Sequence, residues 1–472
     1  MRLPRDFQDS GLPALSAIAA AEVPAHSEAI PDLDTLAQVL FFSAGVTKSK
    51  KHAQGETFFR AAACTGALYE IELYIVCCDL PDRSRPGGPP ALSAGVYHFG
   101  TAEFGLRQLR PGDFRDAVVQ ATTNEPSVVN APVIVICTGT YWRNAWKYRS
   151  RTYRHFGWDN GTLLANLLAI CTAAKLPSKI IEGFVDSTVN ELLAVDTKRE
   201  VAFSLVTIGH TAAAPPPSPA VERLELPTVP YSSQEVDYPA MRKMHEASSL
   251  ESTEEVVAFR GKAPSHANAP AKGSTIPVQP LDEPRLPKDT IEQVISRRGS
   301  TRQFAYDSIT LQQLSTILDH CTRGVAADFL EPFGGHLNDL YLIVNNVVGL
   351  PAGSYFYRWE TRGLEQLKSG EFRDRAGYLG LEQEIPADAA VDIFFLADLK
   401  KILERYGNRG YRAVQLEAGI LGGKFYLAAY AQKLGASGLT FYDDDVVSFF
   451  SPHARGKSAI FLVALGRSAL RK

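Results

Sequence analysis

The sequence predicts an α+β chain built from two copies of one fold and a linker, and three observations lead there. Motifs recur at a constant offset of 258 residues: Gly95-Val-Tyr-His-Phe99 matches Gly353-Ser-Tyr-Phe-Tyr357, and Leu109-Arg-Pro-Gly-Asp-Phe-Arg115 matches Leu367-Lys-Ser-Gly-Glu-Phe-Arg373. Lys147 to Arg154 faces Arg405 to Arg412 in the same register, and Asp186 faces Asp444. Upstream, Cys64-Thr-Gly-Ala-Leu68 faces Pro332-Phe-Gly-Gly-His336 at an offset of 268, the difference falling in the Pro/Gly/Ser-rich insertion from Asp82 to Ser93. Strand-length apolar runs alternate with helical ones inside each copy. Between the copies, His210 to Lys288 is dense in Pro, Ala and Ser and buries too little apolar surface to fold as a domain.

Taken in order, Gly11 to Val23 is mildly apolar, but Asp6, Asp9 and Pro13 interrupt it, so it reads as part of the folded chain rather than a cleaved leader. Leu33 to Leu40 aligns with the Leu-rich helical stretch Leu311 to Leu318. Glu70 to Cys78, Ala131 to Cys137 and Val201 to Ile208 have strand length and composition. Their later counterparts are Leu340 to Asn345, Asp392 to Ala397 and Ser458 to Leu465. Thr162 to Ala174 and Gln415 to Lys433 are apolar at helical spacing and long enough for core helices. The fold expected is helices over a mostly antiparallel sheet, with a first domain at 1–210, a linker at 211–287 and a second domain at 288–472. Within the linker, the stretch from Tyr238 is expected to form a short helix lying across one copy.

Composition narrows the function. Lys plus Arg number 49 against 52 Asp plus Glu, a net charge of −3, which lacks the basic excess that collects on phosphate backbones. No nucleic-acid partner is expected. No apolar run reaches the roughly 18 residues that span a bilayer, so no membrane partner is expected either. The six cysteines form no CxxC pair and mostly sit in apolar runs, which suits a reducing cytoplasm. Ten histidines include no HExxH and no close pair with cysteine, so no metal site is expected. Asp443-Asp-Asp445 reads as a solvated turn or helix cap, and the glycine clusters of the second copy do not match a dinucleotide fingerprint.

The residues that carry chemistry open the second copy. In Arg297-Arg-Gly-Ser-Thr-Arg302, three guanidinium groups bracket Ser300, a set of paired donors and a hydroxyl that suits a phosphate. This segment resembles the phosphate-binding segment of the nitroreductase-like flavoprotein superfamily. Arg60 to Val76, Gly95 to Phe99, Trp146 to Phe156 and the linker from Glu235 are similar to the SagB-type or ThcOx-like branch, whose members oxidise azoline rings to azoles. The resemblance runs from about Leu33 onward. It implies two nitroreductase-like domains forming an interlocked pseudo-dimer within one chain, with FMN at the seam.

Under that resemblance the two seams are not equal. Arg298, Ser300 and Arg302 fall opposite Ala20, Glu22 and Pro24, and Arg467 falls opposite His210, so the phosphate grip is expected only in the second copy, from Arg297, Arg298, Ser300, Arg302 and Arg467. The first copy keeps the compact segment Ala63, Cys64, Thr65, Gly66, Ala67 and Leu68, expected to cover the flavin ring, with Gly438 and Leu439 supplying backbone contacts from the other half. Lys147 and Tyr148 match the branch's catalytic acid/base pair, whereas the second copy has Arg405 and Tyr406; arginine cannot act as a base near neutral pH. Glu182-Gly183-Phe184 looks like the glycine turn that contacts flavin N5 in many nitroreductases, yet it stands in the copy without the phosphate grip. The activity implied is oxidation of a thiazoline or oxazoline in a peptide or carrier-bound substrate, with dioxygen as electron acceptor. An NAD(P)H-dependent nitro or ene reductase and a flavin-free scaffold are the alternatives, and further oligomerisation is left open.

Overall fold

The computed structural model describes residues 1–19, 28–53, 55–226, 228–261, 263–264, 273 and 275–469. Its core holds two antiparallel sheets of the same plan. The first is ordered Gly105–Pro111, Gly95–Gly100, Ile71–Cys77, Val133–Thr140, Glu200–Ile208, Ser178–Ile181. The second, read from the corresponding edge, runs Gly363–Ser369, Gly353–Arg358, Asp339–Val344, Val391–Ala397, Ser458–Gly466, Gly435–Leu439. Every expected strand is present within three residues, because the runs that form them are buried on both faces and read as continuous apolar stretches.

The boundaries at 210 and 288 need correcting. Thr275–Pro277, placed in the linker by composition, is a seventh strand on the edge of the second sheet, paired with Gly363–Ser369. At the matching edge of the first sheet, Arg2 makes a single bridge to Gly105. The amino-terminal segment of the first half also docks on the second: Ala14 N–H donates to Asp289 O at 3.0 Å, and Ile291 N–H to Leu12 O at 3.1 Å. The halves are interlocked, not strung in sequence.

At the seam lie two long helices, Thr152–Ala173 and Arg409–Ala431. The first begins ten residues before the apolar stretch that announced it, since its opening turns carry His155, Asp159 and Asn160, polar residues that are nonetheless buried. Glycine makes the crossing close: a Cβ on Gly161 would meet Ile420 N at 2.4 Å, and one on Gly419 would meet Gly157 O at 2.6 Å. Backbones this near leave no room for a side chain, so the seam depends on glycine for packing density. The linker contributes the helices Pro239–Ala247, close to the stretch expected from Tyr238, and Thr253–Phe259, capped by the Ser252 hydroxyl on Glu255 N.

Candidate functional site

Strand Val133–Thr140 runs directly into helix Tyr141–Tyr148, which ends where Arg149 turns to φ 53°, and so Lys147 and Tyr148 stand at a helix terminus. Facing them is the loop from Ala63, in which Gly66 adopts φ 64° and Ala67 φ 55°. Asp159, from the long helix of the same half, fixes that loop by accepting from Thr65 N at 2.9 Å and Thr65 Oγ1 at 3.0 Å. Tyr148 closes against the loop so tightly that a Cβ on Gly66 would lie 2.8 Å from its hydroxyl. From the other half come Ser300 and Arg302, beyond the helix Ile291–Arg297, and Gly438 and Leu439, at the end of strand Gly435–Leu439.

These pieces line one cavity of about 300 Å³: Ala63, Cys64, Thr65, Gly66, Lys147 and Tyr148 from the first half, Ser300, Arg302, Gly438 and Leu439 from the second. Its walls are apolar at Trp158 and Phe461. The Ser300 hydroxyl lies 3.1 Å from Tyr426 Oη, which also accepts from Gly438 N at 2.5 Å. Among the described residues, Arg302 forms no hydrogen bond or ion pair, so a cation is held free at the wall. Lys147 is exposed, its Nζ 5.1 Å from the Tyr148 ring centroid, and the other edge of that ring meets His155 at 4.9 Å. Burial, then the charges of Arg151 and Arg154, push the His155 pKa down to about 3, which keeps the imidazole neutral.

Behind the loop, Asp159 sits with Glu70 and Cys64, and the Cys64 thiol donates to Asp159 Oδ2 at 3.3 Å and to Glu70 Oε2 at 3.4 Å. Burial and then the Glu70 charge raise the Asp159 pKa well above its usual range, and burial followed by Asp159 raises the Cys64 thiol likewise. A buried carboxyl group beside a second carboxylate favours its protonated form, here that of Asp159. The thiol is therefore a poor nucleophile, and the cluster serves to hold the loop. Asp159 was missed by motif reading, although the repeat offered a signal: 258 residues later stands Glu417, which accepts from Leu337 N and Asn338 N, both at 2.9 Å, in the matching loop. Trp158, Thr162, Gln383, Tyr426, Thr440 and Phe461 also line the cavity and went unnoticed, because their residue types carry no signature outside the fold.

Five expected residues are not in the cavity wall. The Arg298 guanidinium is buried and donates to Ala61 O at 2.9 and 3.0 Å, packing 5.6 Å from the Tyr426 ring, so it staples the first half's loop to the second half. Arg297 pairs with Asp289 at 2.5 Å and donates to Tyr430 O, and Arg467 is exposed and donates to Ser308 O at 3.1 Å. Ala67 and Leu68 continue the loop beyond the wall. The three arginines were expected at the site from the donor pattern around Ser300, the resemblance and the repeat alignment, whereas backbone carbonyls and Asp289 engage their guanidinium groups. Ala20, Glu22 and Pro24, their expected counterparts, lie outside the described residues.

In the other seam the equivalent groups are engaged by other described residues of the chain. Tyr406 Oη donates to Phe329 O at 2.6 Å, and Arg405 donates to Ala258 O and Arg260 O of the linker. The Glu182-Gly183 turn has both amides taken by the Asp328 carboxylate, at 3.0 and 2.9 Å, and Ile180 N–H donates to Ala326 O. That turn therefore presents no free N–H to a ligand. Helices Asp186–Leu193 and Asp443–Phe450 begin 257 residues apart, which pairs Asp186 with Asp443 and Phe184 with Phe441 and corrects the expected match of Asp186 to Asp444 by one residue. Asp443-Asp-Asp445 forms the first turn of helix Asp443–Phe450, at a helix start as one of the two expected readings had it, and Asp443 also pairs with Arg154 at 2.6 Å and Arg151 at 3.3 Å. A larger hollow of about 870 Å³ opens between the first half and linker residues 223–235, but none of the expected site residues reaches it.

Comparison with known proteins agrees with this architecture. Residues 295–467 match the nitroreductase family. A protein of Methanocaldococcus jannaschii named as a nitroreductase is 28% identical over 180 residues, 37% of this chain and 89% of the relative. The crystal structure of a protein from Anabaena variabilis, also named as a nitroreductase, superposes with a TM-score of 0.76 over 99% of this chain and 94% of its own, at 24% identity. That likeness spans both sheets and speaks to the fold. Among the described residues, no helix is long and apolar enough to cross a membrane. Residues 295–467 thus resemble the nitroreductase family, and the two-copy α+β fold around them is shared with the Anabaena variabilis protein over nearly the whole chain.

Proposed function

We propose that this chain is an FMN-dependent oxidoreductase that converts a thiazoline or oxazoline ring of a peptide-derived substrate to the azole. One observation supports it above the rest: Lys147 and Tyr148 of one half and Ser300 and Arg302 of the other line a single cavity. The wall fits FMN by its chemistry. Arg302 and the Ser300 hydroxyl are donors for a phosphate, Trp158, Leu439 and Phe461 offer flat apolar surface for a ring, and Ala63, Gly66 and Gly438 let backbone approach it. When bound, FMN supplies the two-electron chemistry that aromatisation of an azoline needs.

The chain's own residues do the rest. Aromatisation removes a hydride and a proton from the ring, and the proton passes to Lys147 Nζ or Tyr148 Oη in its basic form. Gly66 lets Tyr148 close onto the loop, and Asp159 holds that loop in place. His155, neutral and edge-on to Tyr148, orients the phenol without placing a charge beside it. Dioxygen is the electron acceptor in this reading. A second reading, reduction of a nitro compound with NAD(P)H, has the family match at residues 295–467 in its favour.

The two separate in one assay pair, a thiazoline-containing peptide under air against a nitroarene with NADPH. Turnover is expected in the first. Lys147→Ala should keep FMN bound and lower azoline turnover about 10²- to 10⁴-fold, the range for a lost general base. Full turnover in that variant contradicts the Lys-Tyr mechanism, and activity confined to the nitroarene assay supports the second reading instead.

A further inference from the structure

Helix Tyr141–Tyr148 carries Lys147 and Tyr148 on its last turn, and that turn has little to hold it. Trp146 and Lys147 are exposed, the chain leaves the helix at Arg149 with φ 53°, and neither Lys147 nor Tyr148 forms a hydrogen bond with a described residue.

The anchors sit one turn earlier. Asn144 Oδ1 accepts from Thr152 Oγ1 at 2.8 Å and lies 2.9 Å from His155 Nδ1, which ties the helix to the long helix behind it. Arg143 ties it to the loop in front. Its Nη1 donates to Tyr69 O at 2.9 Å and to Glu72 Oε1, and its Nη2 donates to Tyr231 Oη of the linker, whose ring centroid lies 4.6 Å from the guanidinium. Burial would raise the Glu72 carboxyl, yet its hydrogen bond with His98 and the charges of Arg143 and Arg60 hold it down to about 2, so Arg143 faces a carboxylate at any neutral pH.

Tyr69 closes the loop that begins at Ala63. It turns at φ 56°, and its N–H donates to Cys64 Sγ at 3.0 Å. The loop is thus pinned at Thr65 by Asp159 and at Tyr69 by Arg143, and Gly66, against which Tyr148 closes, lies between the two pins. A forked guanidinium can bridge a carbonyl, a carboxylate and a phenol at once, which a lysine ammonium on its flexible stem does less well. The repeat supplies the contrast. Lys401 stands 258 residues after Arg143, on helix Leu399–Tyr406, where it is 52% exposed and pairs with Asp398 at the start of its own helix at 3.5 Å. The half that has Arg405 and Tyr406 in place of Lys147 and Tyr148 also lacks this tie among the described residues.

We propose that Arg143, which does not itself line the cavity, is a positioning residue of the site: bridging Tyr69 O and Glu72 from the helix, it sets how closely Tyr148 approaches the Gly66 loop and so where the Lys147-Tyr148 pair stands over the cavity. The inference rests on the FMN-dependent reaction proposed above and adds to it a residue that acts only through others.

Flavin emission tests it without turnover, because a tyrosine close to a flavin quenches its fluorescence by electron donation and a phenylalanine does not. In the FMN-loaded chain, Tyr148→Phe is expected to brighten the emission. Arg143→Gln should bring most of the same gain, Arg143→Lys less, and Arg143→Gln combined with Tyr148→Phe no more than Tyr148→Phe alone, since both act on one contact. Glu72 keeps Arg60 at 3.7 Å and His98 at 3.2 Å in either Arg143 variant, so no buried charge is left alone. With a thiazoline peptide, Arg143→Gln should lower kcat about tenfold or more and leave KM near that of wild type, because a displacement of about 1 Å costs up to about 10²-fold in the chemical step. Wild-type emission in Arg143→Gln or in Tyr148→Phe, or gains that add in the double variant, overturns the inference. Emission that follows the expected pattern in a chain that turns over no azoline contradicts the proposed reaction alone and leaves the positioning role standing.

Discussion

Gly66 shows how much of the site rests on single atoms. Its φ of 64° is left-handed, and a Cβ would lie 2.8 Å from the Tyr148 hydroxyl, so Gly66→Ala adds backbone strain and displaces the phenol together. The expected result is a loss of about 1–3 kcal/mol in stability and weaker FMN binding, read by thermal melting and flavin titration; a variant that binds FMN as tightly as wild type contradicts the placement of this loop. At this scale the sequence was informative where a residue type has one physical use. Gly66, Lys147, Ser300 and Arg302 all reach the cavity wall. Arg298 did not follow its charge, because burial among backbone carbonyls offered its guanidinium partners that no linear motif reveals. Trp158 was illegible for the converse reason, being an ordinary member of a helix until the loop and the second half fold against it, and Asp159 was legible only through its repeat partner Glu417.

Elements were legible in proportion to their periodicity. Strands such as Val133–Thr140 and Val391–Ala397 announce themselves by unbroken apolar runs, whereas the first three turns of helix Thr152–Ala173 look polar and glycine-bearing because they are built to meet another backbone. Gly161→Val tests that contact: its side chain would overlap Ile420 N and Gly419, and overpacking of this kind costs about 1–3 kcal/mol or more. A lowered melting temperature is expected, and an unchanged one contradicts the crossing. The turn before helix Asp186–Leu193 carries a pH dependence. Burial raises the Glu182 pKa to about 8, opposed by Arg409 and Arg412, so the folded chain keeps this proton to about pH 8 while the unfolded chain loses it from about pH 4.5. Unfolding then releases a proton across that window, and stability falls as pH rises through it. In Glu182→Gln this contribution disappears, so denaturant unfolding at pH 5, 6.5 and 8 should show a smaller fall in stability than wild type. An identical slope in both proteins removes Glu182 as its source.

Across the whole molecule, duplication has produced two seams with opposite fates. The repeat was readable because strands and the Lys-Tyr and Arg-Tyr segments keep one register, but the interlocking was not: the amino-terminal segment docks on the second half, and Thr275–Pro277 joins the second sheet from inside a low-complexity stretch. One seam keeps a cavity walled by both halves. In the other, Phe329 and Asp328 occupy the hydrogen-bonding groups of Tyr406 and the Glu182-Gly183 turn, and linker carbonyls hold Arg405. The division of labour between the halves thus has a direct count. Titrating FMN into the purified chain and measuring moles bound per mole of protein should give one; two would mean that the second seam opens to a flavin of its own and would contradict the composite site.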